Sequence, residues 1–248
     1  MINNLRQKLK KYNIPLNSIC IYGNHPTKSA LLNSNRNCYI MCTTKNKFDY
    51  WNKFLNVNKI DLKIVTFELS EIDKISNSKN HQGILLFASK IIKKKLSEYI
   101  KSLSKKKTRI LILDQLTDPQ NVGSIIRSAF AFNFDSVCLL KNNSPIETPA
   151  LIKASAGEIE KIQLLEIGNL VQEIKELKKQ NFFIYGLDGD GEKKIEEIDK
   201  TDTRIALVVG AEGKGLRNLT KQNVDQIVRI NINHKCNSLN ASNAATVA

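Results

Sequence analysis

The chain has 248 residues, 42% of them hydrophobic, enough for one large domain or two modest ones with a real core. No apolar run approaches the roughly 18 residues of a membrane span, and Met1 to Lys8 lacks the apolar stretch of a secretory signal, so a cytoplasmic protein without a membrane partner is expected. The formal charge of +14 points to a polyanionic partner such as nucleic acid, although 31 of the 38 basic residues are lysine and part of that charge is expected to be solvated surface.

Residues 1–16 are polar and basic and read as a mobile arm or a loosely docked helix. Over 17–90 short apolar runs suggest strands at 19–22, 38–42, 63–67 and 83–88, with helices at 26–32 and 46–54, a small α/β unit. Residues 91–107 carry lysines at 93–95 and 105–107 around a modestly amphipathic middle, and read as a basic linker helix. From 108 to the end the pattern alternates cleanly. Strands are expected at 109–113, 136–140, 162–165, 182–187, 205–209 and 227–230, with helices from an Asp118 cap and Pro119 to 132, at 149–155 and at 170–180. Such alternation means βαβ units, a parallel sheet and a ligand site outside the carboxyl ends of its strands.

The five cysteines include no Cys-x-x-Cys pair, and His25, His81 and His234 are far apart, so neither a disulfide framework nor a metal site is expected. Three polar constellations do fall at expected strand ends. The first is Asn121-x-Gly123-x-x-x-Arg127, where Arg127 is expected to lie toward the interior with an anion as its partner. The second is Gly210-Ala-Glu-Gly-Lys-Gly215, whose glycines permit close backbone approach to a ligand. It is no P-loop, since Gly215 stands where Ser or Thr would follow the lysine, and no Gly-x-Gly-x-x-Gly fingerprint opens the alternating half. The third runs from Cys236 to Ala245 after an apolar strand and offers Ser238, Asn240 and Ser242 as helix caps. Residues 186–191, though glycine-rich, read only as a turn.

Asn121/Gly123/Arg127, Gly210/Glu212/Gly215 and Ser238-Leu239-Asn240, in that order, resemble the three motifs of the SpoU-type (TrmH-like) RNA 2′-O-ribose methyltransferases of the SPOUT superfamily, over residues 108–248. Ser155-Ala-Gly-Glu158, Tyr22-Gly-Asn-His-Pro26 and His81-Gln-Gly83 resemble the subgroup that acts on guanosine in large-subunit ribosomal RNA. The resemblance implies an α/β trefoil-knot domain preceded by an L30e-like RNA-binding domain, a homodimer, RNA and not DNA as partner, and S-adenosyl-L-methionine as methyl donor, with no metal. It also implies that Gly210, Ile230, Leu239 and Leu187 line the cofactor, while Asn121, Arg127, Glu212, Ser238 and Asn240 form the reaction end. Transfer RNA is the nearest alternative substrate. A catalytically silent RNA-binding factor on the same fold is the alternative from another class.

A sulfonium methyl is already a strong electrophile, so the protein chiefly has to align a ribose 2′-oxygen with it and ease loss of the hydroxyl proton. Arginine is a permanent cation, so Arg127 is expected to grip a phosphate and steady the developing alkoxide, with phosphate or water taking the proton. Glu212, among glycines, is better suited to ordering Asn121, Arg127 or a loop amide than to acting as base.

Overall fold

A computed structural model describes residues 12–142, 144–145, 147–198, 203–213, 215–233, 235–236 and 238–248. Most of the arm expected over 1–16, together with Lys214 and His234, lies outside them. The chain forms two compact units, one of residues up to 92 together with 147–161, the other of 93–146 and 162–248.

In the first unit, strands β1 (Ile19–Tyr22), β2 (Cys38–Thr43), β3 (Ile64–Thr66) and β4 (Ile84–Ala88) form a sheet in the order β1-β4-β2-β3. The β1-β4 and β2-β4 pairs are antiparallel and β2-β3 is parallel. Helices α1 (Asn24–Leu32) and α2 (Phe48–Val57) fall close to the expected positions. Helix α3 (Leu69–Ser76) has no counterpart in the sequence reading. Its inward face amounts to little more than Ile72 and Ile75, which pack with Tyr22, Cys42, Phe67 and Leu85, too short an apolar stripe to register as periodic.

Residues 147–161 belong to this unit although the chain reaches them from the other. Helix α6 (Pro149–Ala154) starts with the Thr148 hydroxyl capping the Leu151 amide at 3.2 Å, and buries Leu151 and Ile152. The segment is fastened by Arg36, whose side chain is fully buried. Its Nη2 contacts Glu147 Oε1 at 2.7 Å and Glu160 Oε1 at 2.5 Å, and Nη1 donates to the Ser89 carbonyl at 2.6 Å. The outer carboxylate oxygens are occupied too, Glu160 by Asn33 Nδ2 and Glu147 by the Ile91 amide, each at 2.8 Å. A buried charge cluster is tolerable only when satisfied in this way.

The second unit is built on eight described strands, all paired in parallel, in the order β10-β12-β9-β11-β6-β7-β8-β5. These are β5 (Lys94–Lys95), β6 (Thr108–Leu113), β7 (Ser136–Leu140), β8 (Gln163–Ile167), β9 (Phe183–Leu187), β10 (Lys193–Lys194), β11 (Arg204–Val209) and β12 (Gln226–Arg229). Helices α4 (Leu96–Lys101), α5 (Pro119–Ala131), α7 (Leu170–Lys179), α8 (Asn218–Asn223) and α9 (Ala241–Val247) complete it. The parallel α/β sheet expected for 108–248 is present.

The stretch 91–107 is not one basic helix. Lys94 and Lys95 add an edge strand beside Leu165 and Glu166, and only 96–101 is helical, sinking Leu96 and Ile100 into the core with Ile110, Cys138 and Leu165. Lysines on an edge strand also discourage further strand pairing, a structural use for charge that the sequence reading gave to a linker.

Strand order runs outward from β6 through β7 and β8 on one side and through β11, β9 and β12 on the other. The crevice of such a sheet opens at this reversal, at the carboxyl ends of the strands. The chain ends its strands there at Leu113, Leu187, Val209 and Arg229.

Arg36→Ala would strand two buried carboxylates without their cation. A loss of about 3–5 kcal/mol is expected, readable as a lower denaturant midpoint; a loss below about 1 kcal/mol would mean that the cluster does not hold 147–161 in place.

Candidate active site

A cavity of about 320 Å³ lies at the carboxyl ends of these strands. Leu187 and Asp188 line it from the end of β9, Val209 to Gly213 from the loop after β11, and Ile230, Ile232, Ser238, Leu239, Ala241 and Ala244 from the tail. All four residues expected to hold a cofactor, Gly210, Ile230, Leu239 and Leu187, are therefore in its wall, with Glu212 and Ser238 beside them. The volume falls at the lower end of small-molecule sites.

Two glycines make the loop 210–215 possible. A β-carbon on Gly210 would run into the carbonyl group of Gly215, and would stand 2.7 Å from the Leu216 nitrogen. Gly215 adopts φ +62°, and a β-carbon there would strike the Asp188 carboxylate. The loop closes on itself through the Gly215 amide, which donates to the Ala211 carbonyl at 2.9 Å.

At the rim, residues from three distant stretches meet. Asn240 is the N-cap of α9, its Oδ1 accepting from the Ser242 amide at 2.9 Å and the Asn243 amide at 3.4 Å. That capping role decides which end of the amide is oxygen and leaves Nδ2 as a donor. Nδ2 donates to Asn121 Oδ1 at 2.9 Å, and Asn121 Nδ2 then donates to Glu212 Oε2 at 3.3 Å. Asn121 itself stands at the start of α5, where the Asp118 carboxylate caps the Gln120 and Asn121 amides. A helix cap thus orients a chain of side chains that ends on a carboxylate. Glu212 accepts from Asn121 and, at 3.5 Å, from Asn240, so it is engaged in ordering amides.

Arg127 departs from expectation. It lies on the exposed face of α5, not toward the interior, because Val122, Ile125, Ile126 and Ala129 take the buried face of that helix. It makes no hydrogen bond or ion pair among the described residues, so its guanidinium is free to meet a ligand from solvent. Ser238 is exposed beside the cavity, and its carbonyl accepts from Cys236 Sγ at 3.4 Å.

The residues 186–191, read as a turn, contribute more than a turn. Asp188 is 8% exposed and accepts from the Leu216 amide at 2.9 Å, the Asp190 amide at 3.1 Å and Lys221 Nζ at 2.8 Å. Burial alone would raise its pKa, but the hydrogen bonds from Lys221, Leu216 and Asp190 outweigh it and hold the carboxyl below the usual aspartate range. Asp114, just past β6 and 1% exposed, is ion-paired through Oδ1 with Arg217 Nη2 at 2.7 Å, and its Oδ2 accepts from Arg217 Nε at 3.1 Å and Thr220 Oγ1 at 2.9 Å, pinning the start of α8. The available signal for both was an acid directly after an apolar strand. Among the described residues no group of three His, Cys, Asp or Glu side chains could hold a metal ion.

The fold is shared with solved RNA methyltransferases. Solved structures superpose over nearly the whole chain: the SpoU methyltransferase AviRb from Streptomyces viridochromogenes in complex with AdoMet, at TM-score 0.77 and 18% identity over 98% of this chain and 90% of that one, and an RNA 2′-O ribose methyltransferase at TM-score 0.77 and 20% identity over the same shares. In sequence, a protein of Staphylococcus haemolyticus assigned to the TrmH family of tRNA/rRNA methyltransferases is 30% identical over 94% of both chains. An uncharacterized tRNA/rRNA methyltransferase of Borreliella burgdorferi is 33% identical over 73% of this chain and 83% of its own. Residues 108–248 match the model of the SpoU rRNA Methylase family, and the chain belongs to that family.

Two outcomes follow from this geometry. Asn240→Asp keeps the capping oxygen but loses the donor to Asn121 and sets a second carboxylate near Glu212. Methyl transfer should fall at least about tenfold, the scale of one hydrogen bond of this kind, with thermal stability little changed; an unaffected rate would remove the amide relay from the active site. Because the folded-state pKa of Asp188 is depressed, its contribution to stability is present above the unfolded value of about 3.9 and is lost as pH falls through the folded one. The stability gap between wild type and Asp188→Asn should therefore be full above about pH 4 and close below it, and a gap that widens on acidification would contradict the assignment.

Proposed function

We propose that this chain transfers a methyl group from S-adenosyl-L-methionine to a ribose 2′-hydroxyl of ribosomal RNA, a guanosine of the large subunit. The observation that carries the reading is the meeting of a glycine-walled cavity of mixed apolar and polar lining with the Asn121–Asn240–Glu212 relay at its rim. The cavity fits the cofactor chemically. Leu187, Ile230 and Leu239 offer apolar faces to an adenine, and the close-packed glycine at 210 lets backbone amides and carbonyls approach its edge. The bound cofactor would supply an electrophilic methyl.

The rest is done by the chain. Arg127, exposed on α5 and unpaired among the described residues, grips the phosphate next to the target nucleotide and stabilises negative charge as the 2′-oxygen loses its proton, which passes to phosphate or water. Asn121 and Asn240, fixed by the relay, hold the ribose and the loop in line. RNA is held beyond the site by lysines. Lys94, Lys95, Lys106 and Lys107 are exposed in the second unit. In the first, read as an L30e-like RNA-binding domain, Lys45, Lys47 and Lys79 border a groove of about 650 Å³ beside Phe67 and His81.

The return of the tail from β12 to α5, where Ser128 Oγ and Thr246 Oγ1 are 2.8 Å apart, supports reading this region as a trefoil knot. Exposed Phe132 and Val247, just past α5 and at the end of α9, support a homodimer formed at these two helices.

Labelled methyl transfer to total ribosomal and transfer RNA, followed by mapping of 2′-O-methylation, tests the reading. Wild type should label one site in large-subunit RNA, and Arg127→Ala should lose at least about a hundredfold, the scale of an oxyanion-stabilising donor. Arg127→Lys should stay well below wild type, since a lysine cannot grip two oxygens at once. Label confined to transfer RNA would overturn the substrate, and near-full turnover by Arg127→Ala would overturn the role of the arginine.

A further inference from the structure

The cavity has walls from separate stretches of chain, and one carboxylate joins two of them. Asp188 opens the 188–191 loop at the end of β9, its own amide tied to the Val228 carbonyl at 3.0 Å and its carbonyl to the Gly191 amide at 3.2 Å. Across from it, the loop after β11 comes so near that the Asp188 carboxylate takes the space a β-carbon on Gly215 would need. Oδ2 accepts the Leu216 amide at 2.9 Å, and Oδ1 accepts the Asp190 amide at 3.1 Å and Lys221 Nζ at 2.8 Å. Lys221 brings in helix α8, which Asp114 independently anchors to the end of β6 through Arg217 and Thr220. Asp188, Gly215 and Lys221 all line the cavity.

We infer that Asp188, gripped by Lys221, is the positioning residue that sets the spacing between the 188–191 and 210–215 walls and so governs affinity for the methyl donor. The inference rests on the reading of this cavity as the S-adenosyl-L-methionine site. It assigns Asp188 no part in the chemistry of transfer. Without the carboxylate, the Leu216 amide loses a charged acceptor and Lys221 loses its buried counterion and keeps only its exposed pair with Asp190 at 3.0 Å, so the tie between the two loops is weakened. Gly215 is then required for a reason beyond flexibility: any side chain there would displace the acid that holds the loop. A residue that acts by holding the binding wall should change affinity and leave the reacting end, built from Asn121, Glu212 and Asn240, as it is.

The test is calorimetric titration of the full-length chain with S-adenosyl-L-methionine, alongside methyl-transfer kinetics at varied cofactor. Asp188→Asn is expected to weaken binding about tenfold or more, equivalent to about 1.4 kcal/mol, raising KM for the cofactor while kcat at saturation stays within about twofold. Lys221→Gln leaves the carboxylate its two backbone donors and should weaken binding about threefold, with Lys221→Arg restoring most of the loss. Lys179→Gln, which removes an exposed pair with Glu176, controls for a simple loss of positive charge and should bind as wild type does. If Asp188→Asn fails to fold, the Lys221 pair of variants carries the test, since that side chain is partly solvent-exposed. Wild type that binds while Asp188→Asn and Lys221→Gln match it overturns this inference alone. A kcat loss at unchanged KM overturns it as well, and wild type that does not bind the cofactor overturns the reading of the cavity together with it.

Discussion

The arrangement of the site depends on one hydrogen bond, from Asn240 Nδ2 to Asn121 Oδ1 at 2.9 Å. Asn121 opens the helix after the central strand β6, and Asn240 opens the last helix, so the bond fixes the tail of the chain against the middle of the sheet. Its direction is not free. The oxygen of Asn240 is committed to the amides of Ser242 and Asn243, which lie in the first turn of a helix and have no intrahelical acceptor. Local helix chemistry therefore decides the polarity of a long-range contact, and that contact in turn aims Asn121 at Glu212. The capping requirement of a seven-residue helix thus sets the orientation of the Asn240–Asn121–Glu212 relay.

Carboxylates do the remaining joining. Asp118 caps the helix that bears Asn121 and Arg127, Asp114 anchors α8 through Arg217 and Thr220, and Asp188 ties the loops around the cavity. Each stands just beyond an apolar strand or at a helix start, where unsatisfied amides and cationic side chains are near. The loops of a parallel sheet have no neighbours to pair with, so ordering them takes side-chain acceptors of this kind. The result is an ordered wall around a cavity lined by both apolar side chains, Leu187, Ile230 and Leu239, and charged ones, Asp188, Glu212 and Lys221.

The alternating half of the chain was legible because its strands are buried on both faces and read as continuous apolar runs, as at 136–140, and because Asp118-Pro119 marks a helix start without ambiguity. The motif residues could be named from their order, and the sheet brings Gly210, Ile230, Leu239 and Leu187 to one cavity and Asn121, Glu212 and Asn240 to one rim. What was not legible depended on long-range partners. The exposure of Arg127 follows from which face of α5 the core claims, the membership of 147–161 in the first unit from a buried arginine more than a hundred positions away at Arg36, and the role of Asp188 from a loop twenty-eight positions on at Leu216. Helix α3 and the short strand at Lys94–Lys95 offered too few apolar residues to show a period.

The most direct test of the account is where the methyl donor binds. Photo-crosslinking of labelled S-adenosyl-L-methionine to the intact chain, followed by peptide mapping, should place the label in peptides containing 209–213 and 230–244, the walls of the cavity at the strand ends. Label recovered instead from residues 44–83, which border the groove of the first unit, would contradict it.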